Sequence, residues 1–129
     1  MKNYKEYYKQ MGNLLYSVAA IDGSIAEKEW KELRRIVKEE LVSQEKHHDE
    51  FGTDAAFAVE FQFDILEGNA VTSAEAFDEV HQYLKHNVSV LPEADKVRLL
   101  QGATQVAASF HSINKAEQGI LGKLKVLLS

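Results

Sequence analysis

The chain has 129 residues and a mass of 14.6 kDa, with 45% hydrophobic and 27% charged residues, a size and balance that suit one globular domain spanning residues 1–129 and exclude a disordered or fibrous chain. Lys and Arg number 15 against 20 Asp and Glu, a net charge of −5, which opposes the positive footprint that nucleic-acid binding needs. No cysteine is present, so disulfide scaffolds, thiolate zinc sites and cysteine nucleophiles are excluded, and any metal would be left with His, carboxylate and carbonyl ligands.

The opening residues Met1 to Glu6 hold no apolar core of signal-peptide length, and no apolar run approaches the roughly 18 residues of a spanning helix. The expectation is a cytoplasmic protein that is not an integral membrane protein. A single Pro and seven Gly supply little of the punctuation that β-rich domains carry, so helical periodicity is the template to test. Tyr4, Tyr7, Tyr8, Met11, Leu15 and Val18 fall on one helix face, and Asp22-Gly23 ends the run. Trp30, Leu33, Val37 and Leu41 form a second stripe, opposite a polar face of Lys28, Lys31, Glu32, Arg35 and Glu39.

Residues 43–53 are mostly polar and read as a linker with at most one helical turn. Over residues 54–67, Phe57, Val59, Phe61, Phe63 and Ile65 alternate with Ala58, Glu60, Gln62 and Asp64, which is a strand pattern. Thr53 as an N-cap, several Ala, a length beyond a usual strand and Gly68 at the C-cap favour a helix instead. That helix is apolar nearly all round, apart from Gln62 and a wedge of Glu60, Asp64 and Glu67, and is expected at the centre of a bundle.

Thr72-Ser73-Ala74-Glu75 is a capping box opening a helix striped by Phe77, Val80, His81, Leu84 and Val88. Pro92, followed by Glu93 and Asp95, marks the first helical position of a long, broadly apolar helix, expected to be buried and to run to about Phe110. Asn114-x-x-Glu117 caps a last helix with Ile120, Leu121, Leu124, Leu127 and Leu128. The fold class expected is all-α, a compact bundle of six or seven helices.

Displacing the chain by 88 residues sets Val18-Ala19-Ala20 on Val106-Ala107-Ala108, Ser24-Ile25 on Ser112-Ile113, Glu29 on Glu117 and Leu33 on Leu121, an internal helix-turn-helix repeat. In the first copy Asp22-Gly23-x-Ile25-x-x-x-Glu29 matches the back half of an EF-hand loop, but Val18 and Ala20 stand where its first ligands belong, and the second copy has Phe110-His111 in place of Asp-Gly. An EF-hand is therefore rejected. What remains, a helix ending in Val-Ala-Ala-x-Asp-Gly-x-Ile followed by x-x-x-Glu, resembles the tellurite-resistance TerB family and the similar helical domain of DjlA-type co-chaperones. The resemblance spans most of the chain. It implies a helical bundle acting as a non-enzymatic accessory protein of a bacterial stress response, with acidic residues that bind metal; by position these are Asp22, Glu29 and Glu117, with Phe110 departing from the pattern.

Each candidate ligand also has a structural role open to it. Asp22 could cap its turn, and Glu29 and Glu117 could reach back to a helix N-terminus. Glu60 and Asp64, at i and i+4, repel unless they are solvated, paired with Lys or Arg, or bridged by a cation. Together the five acids are expected to form one surface able to hold Ca²⁺ or Mg²⁺ weakly, no better than roughly 10⁻⁴–10⁻³ M. The alternative is a protein-protein interaction module in which the acidic surface docks a protein partner and no ion takes part. His47-His48-Asp49-Glu50 offers zinc or nickel donors or a solvated linker. His81 reads as a core histidine that Asp78 could orient, and the single Asp78-x-x-His81 is the nearest approach to the paired motifs of a di-iron bundle. Tyr4, Tyr7, Tyr8 and Trp30 read as core and rim. No nucleophile elbow and no phosphate-cradling glycine loop occurs.

Overall fold

The computed structural model describes residues 4–21, 23, 25–41, 48–110 and 115–129, with side chains for all of these except 40–41, 48–56, 110 and 115–117. Among the described residues there are six α-helices and no strand: α1 (Tyr4–Ala19), α2 (Glu27–Ile36), continued by a π-helical segment (Val37–Leu41), α3 (His48–Gly68), α4 (Ser73–Asn87), α5 (Glu93–Phe110) and α6 (Lys115–Leu128). Residues 54–67 are helical despite their two-residue alternation. A strand there would have had no sheet to pair with, whereas a helix satisfies its own backbone.

The centre of the bundle is α1, not α3. Every residue from Gln10 to Ala20 is buried, and α1 packs against α3, α4 and α5. Its apolar face contributes Tyr7, Met11, Leu14, Leu15 and Val18 to the core, each worth about 1.5–3 kcal/mol for a fully buried large side chain. Its other face is polar but satisfied internally: Asn13 Nδ2 donates to Gln10 Oε1 (2.9 Å), Gln62 Nε2 donates to Asn13 Oδ1 (2.8 Å), and the Ser17 hydroxyl donates to the Leu14 carbonyl (2.7 Å). Gly12 lets α3 come this close, since a Cβ there would lie 2.9 Å from Gln62 Cβ and 3.1 Å from the Val59 carbonyl oxygen.

The α3 expectation needs three corrections. The helix starts at His48, so 48–53 are not linker and Thr53 is not an N-cap; acidic positions 49 and 50 fall in the first turn, where the helix dipole favours them. Its C-terminus is closed not by Gly68 but two residues later, where Ala70 takes the left-handed conformation (φ 51°). There the Val71 amide donates to the Leu66 carbonyl and the Ala70 amide to that of Glu67, a Schellman closure in which glycine is usual. Finally, α3 is not surrounded. Val59, Gln62, Phe63 and Leu66 are buried, while Phe57, Phe61 and Ile65 are 67%, 54% and 39% exposed.

The second predicted helix changes to π geometry at Val37; of its stripe, Leu33 and Val37 are buried with Ile36 beside them and Trp30 is partly buried, while the Leu41 side chain lies outside the described residues. Pro92 lies one position before α5, its carbonyl accepting from the Asp95 and Lys96 amides. Among its described side chains, α5 is buried only along Asp95, Leu99, Gly102, Ala103, Val106 and Ala107; Val97 faces outward. Those buried positions fall 88 residues after Tyr7, Met11, Leu14, Leu15, Val18 and Ala19, all buried on α1. Leu33 and Ile36 stand in the same relation to buried Leu121 and Leu124. At one such pair the copies meet directly, the Tyr7 hydroxyl donating to the Asp95 carbonyl at 3.0 Å. Ile25 is partly buried against the core rather than sealed beneath its turn; Ile113 lies outside the described residues.

Candidate functional site

Of the five acidic candidates, Glu29, Glu60 and Asp64 have described side chains. Asp22 lies outside the described residues, as does the side chain of Glu117 on α6. Glu29 Oε1 accepts the Ala26 amide at 2.8 Å, the backward reach of a capping box. Glu60 and Asp64 are brought together, and the cation between them belongs to the protein. Arg34, from α2, places Nη1 at 3.1 Å from Glu60 Oε1 and Nη2 at 2.8 Å from Asp64 Oδ1, while Lys38 Nζ stands 3.8 Å from Glu60 Oε2. The arginine lies over the Trp30 ring, 5.8 Å from its centroid, and Trp30 in turn packs at 5.8 Å against Phe63. Partial burial works against the Arg34 charge, but the bonds to Asp64 and Glu60 outweigh it and hold its pKa above the ordinary value. Of the three ways to relieve an i,i+4 carboxylate pair, the fold uses pairing with arginine.

Sequence reading missed Arg34 because its partners are 26 and 30 residues away. Its place one turn after Trp30, at the edge of the apolar stripe, was the available signal. On the outer face of α2, Arg35 bonds Glu32 through two nitrogens at 2.8 Å and Glu39 at 3.4 Å, a solvent-facing row as the polar pattern predicts. Beside the Arg34 cluster runs the uncovered ridge of α3, where the Phe57 and Phe61 rings stack with centroids 6.0 Å apart and planes 9° apart. Among the described residues, no three His, Asp or Glu side chains come together in a way that could hold one metal ion.

A second region lies on the other side of α1. A cleft of about 770 Å³ opens between the turn that follows α1 (Ala20, Ile21), the first half of α4 (Phe77, Asp78, His81) and α6 (Ile120, Lys123). Its α4 wall is fixed locally: Thr72 Oγ1 accepts the Glu75 amide at 3.1 Å, and Glu75 Oε1 accepts the Thr72 amide at 3.0 Å. The Thr72 amide foremost, and then the Thr72 hydroxyl, which also donates to Glu75 Oε1 at 3.0 Å, hold the Glu75 carboxyl below its usual range. The Ser73 hydroxyl donates to the Ser17 carbonyl at 2.5 Å, and the Tyr16 hydroxyl to that of Val71 at 2.7 Å, tying the start of α4 to α1. His81 is half-buried at this wall and is not a core residue. Its side chain and those of Asp78 and Lys123 make no hydrogen bond or ion pair to another described residue.

No helix among the described residues is long and apolar enough to cross a membrane. A family model described as tellurite resistance protein TerB matches residues 10–129. No curated protein and no solved structure matches the chain.

Proposed function

The chain belongs to the tellurite resistance protein TerB family, and from that premise we propose that it is a cytoplasmic, non-enzymatic accessory protein of a bacterial tellurite or metal stress response that works by docking a protein partner. The observation that carries this reading is the exposed ridge of Phe57, Phe61 and Ile65 on α3. Residues at i, i+4 and i+8 form the ridge that seats in the groove of another helix. Its stacked aromatic centre and charged border of Arg34, Glu60 and Asp64 match the apolar core and polar rim of protein interfaces. The partner it suits is an amphipathic helix with a shallow apolar groove.

This docking reading ranks above cation binding. A Ca²⁺ or Mg²⁺ ion at Glu60 and Asp64 would have to displace Arg34 and Lys38 and replace two charge-assisted hydrogen bonds. The absence from the sequence of a nucleophile elbow and of a phosphate-cradling loop supports a role without catalysis.

Tellurite survival of a host strain that depends on this protein tests the reading. Phe57→Ser/Phe61→Ser should keep the wild-type melting temperature and lose resistance, because both rings are solvent-facing. Full resistance in that variant would refute docking through α3. Loss of resistance in Glu60→Gln/Asp64→Asn alone, accompanied by loss of Ca²⁺ or Mg²⁺ heat in calorimetry, would put the cation reading in its place.

A further inference from the structure

The cleft between α1, α4 and α6 contains side chains that the docking reading does not use. Asp78 and His81 lie one turn apart on α4 and both line the cleft. At i and i+3 their Cβ atoms are about 5–6 Å apart on one helix face, so a carboxylate oxygen and an imidazole nitrogen can reach a common point. Neither group is engaged by another described residue, in contrast to Glu60 and Asp64, which Arg34 already holds. Lys123 enters from α6 as the opposing charge.

These donors select the occupant. An anion would meet the Asp78 carboxylate on the same face as the imidazole. A hard cation gains nothing from the imidazole, whereas Zn²⁺ and its first-row neighbours accept mixed nitrogen and oxygen ligands. A volume of about 770 Å³ leaves room for water at the remaining coordination positions. We propose that Asp78 and His81 form a two-residue site for a borderline divalent transition ion, Zn²⁺ foremost, at the mouth of this cleft, with Lys123 limiting its affinity.

Calorimetric titration of the full chain with Zn²⁺ tests this, in a His47→Gln/His48→Gln background that removes the one adjacent histidine pair of the sequence. His81→Gln and Asp78→Asn should each weaken binding by at least about tenfold, the size of effect that even indirect ligand-positioning groups produce. Lys123→Met should strengthen it, and excess Mg²⁺ should not compete. A measurement on the unsubstituted cleft guards against misfolded variants: the His81 ring resonances should shift on Zn²⁺ addition. Zn²⁺ affinity unchanged in His81→Gln, no gain in Lys123→Met, displacement by Mg²⁺, or ring resonances that stay put at saturating Zn²⁺ would each overturn the site.

Discussion

The Arg34 cluster and the α4 cleft are built from similar groups, two acids and two basic side chains against one acid, one imidazole and one basic side chain, and the fold treats them in opposite ways. On α3 the carboxylates are bound by an internal guanidinium buttressed by Trp30. On α4 the carboxylate and imidazole line a cavity without a described partner. The density of acidic residues in a sequence therefore says little about where a ligand can bind. What matters is whether the fold has already supplied the counter-charge, because a ligand at a satisfied site must compete with a bond that costs nothing further to keep.

The strongest way to break this comparison is to detach the arm that carries Arg34. Leu33 precedes it and is fully buried, so Leu33→Ala should lose about 2–5 kcal/mol in denaturant unfolding. A loss below 1 kcal/mol would mean that α2 is not anchored through its apolar face. The next largest effect separates the two regions directly. Arg34→Met leaves the largely buried Glu60 with only the more distant Lys38 and should cost about 1–3 kcal/mol, the range for hydrogen bonds to charged groups. Asp78→Asn and Lys123→Met should each stay within about 0.5 kcal/mol, as exposed substitutions without partners do. Equal costs in the two regions would erase the distinction between a closed and an open site.

A smaller effect, of opposite sign, belongs to the turn between α3 and α4, which sets where the cleft wall begins. Ala70 occupies a left-handed position at a cost for an L-residue of roughly 1–2 kcal/mol, part of which glycine gives back through its greater freedom when unfolded. Ala70→Gly should therefore raise stability by about 0.5–1 kcal/mol and leave both charge regions untouched. Destabilisation would mean that the Ala70 methyl packs more than the turn strains.

Helix existence and order were readable because periodicity, the Thr72 capping box and the Asp22-Gly23 break are local signals. Periodicity reports which residues are apolar, not which are covered, and so it placed α3 at the centre and expected α5 to be buried, although Val97 on it faces outward. The burial of α1 on its polar face depends on Gln62 meeting Asn13 across 49 residues, and the Arg34 clamp on pairings just as remote from any window. The change to π geometry at Val37 and the left-handed Ala70 had no composition signal at all. Of the acidic candidates, the pairing of Glu60 with Asp64 was legible in their spacing, but the identity of their partner was not. His81 and Asp78 were noticed as a spacing, yet only the cleft distinguishes them from a histidine packed in the core.

The last effect, confined to alkaline pH, concerns the side of α4 away from the free pair. Tyr83 is partly buried and packs against the core; burial first, and the nearby Glu6 charge second, push its phenol up to about 12. An unfolded tyrosine ionises near 10, so the folded chain keeps a proton that the unfolded chain has lost between those values. Its stabilising contribution is complete below pH 10 and disappears as pH rises through 12. Tyr16 is shifted in the same direction by burial and by Glu67, so Tyr83→Phe should flatten the alkaline decline without abolishing it. Unfolding free energies at pH 9 and pH 11.5 measure this: the difference between the two should be smaller in Tyr83→Phe than in the wild type. An identical alkaline slope in Tyr83→Phe would show that the phenol is solvated, and that α4 holds its outer groups and its inner one equally loosely.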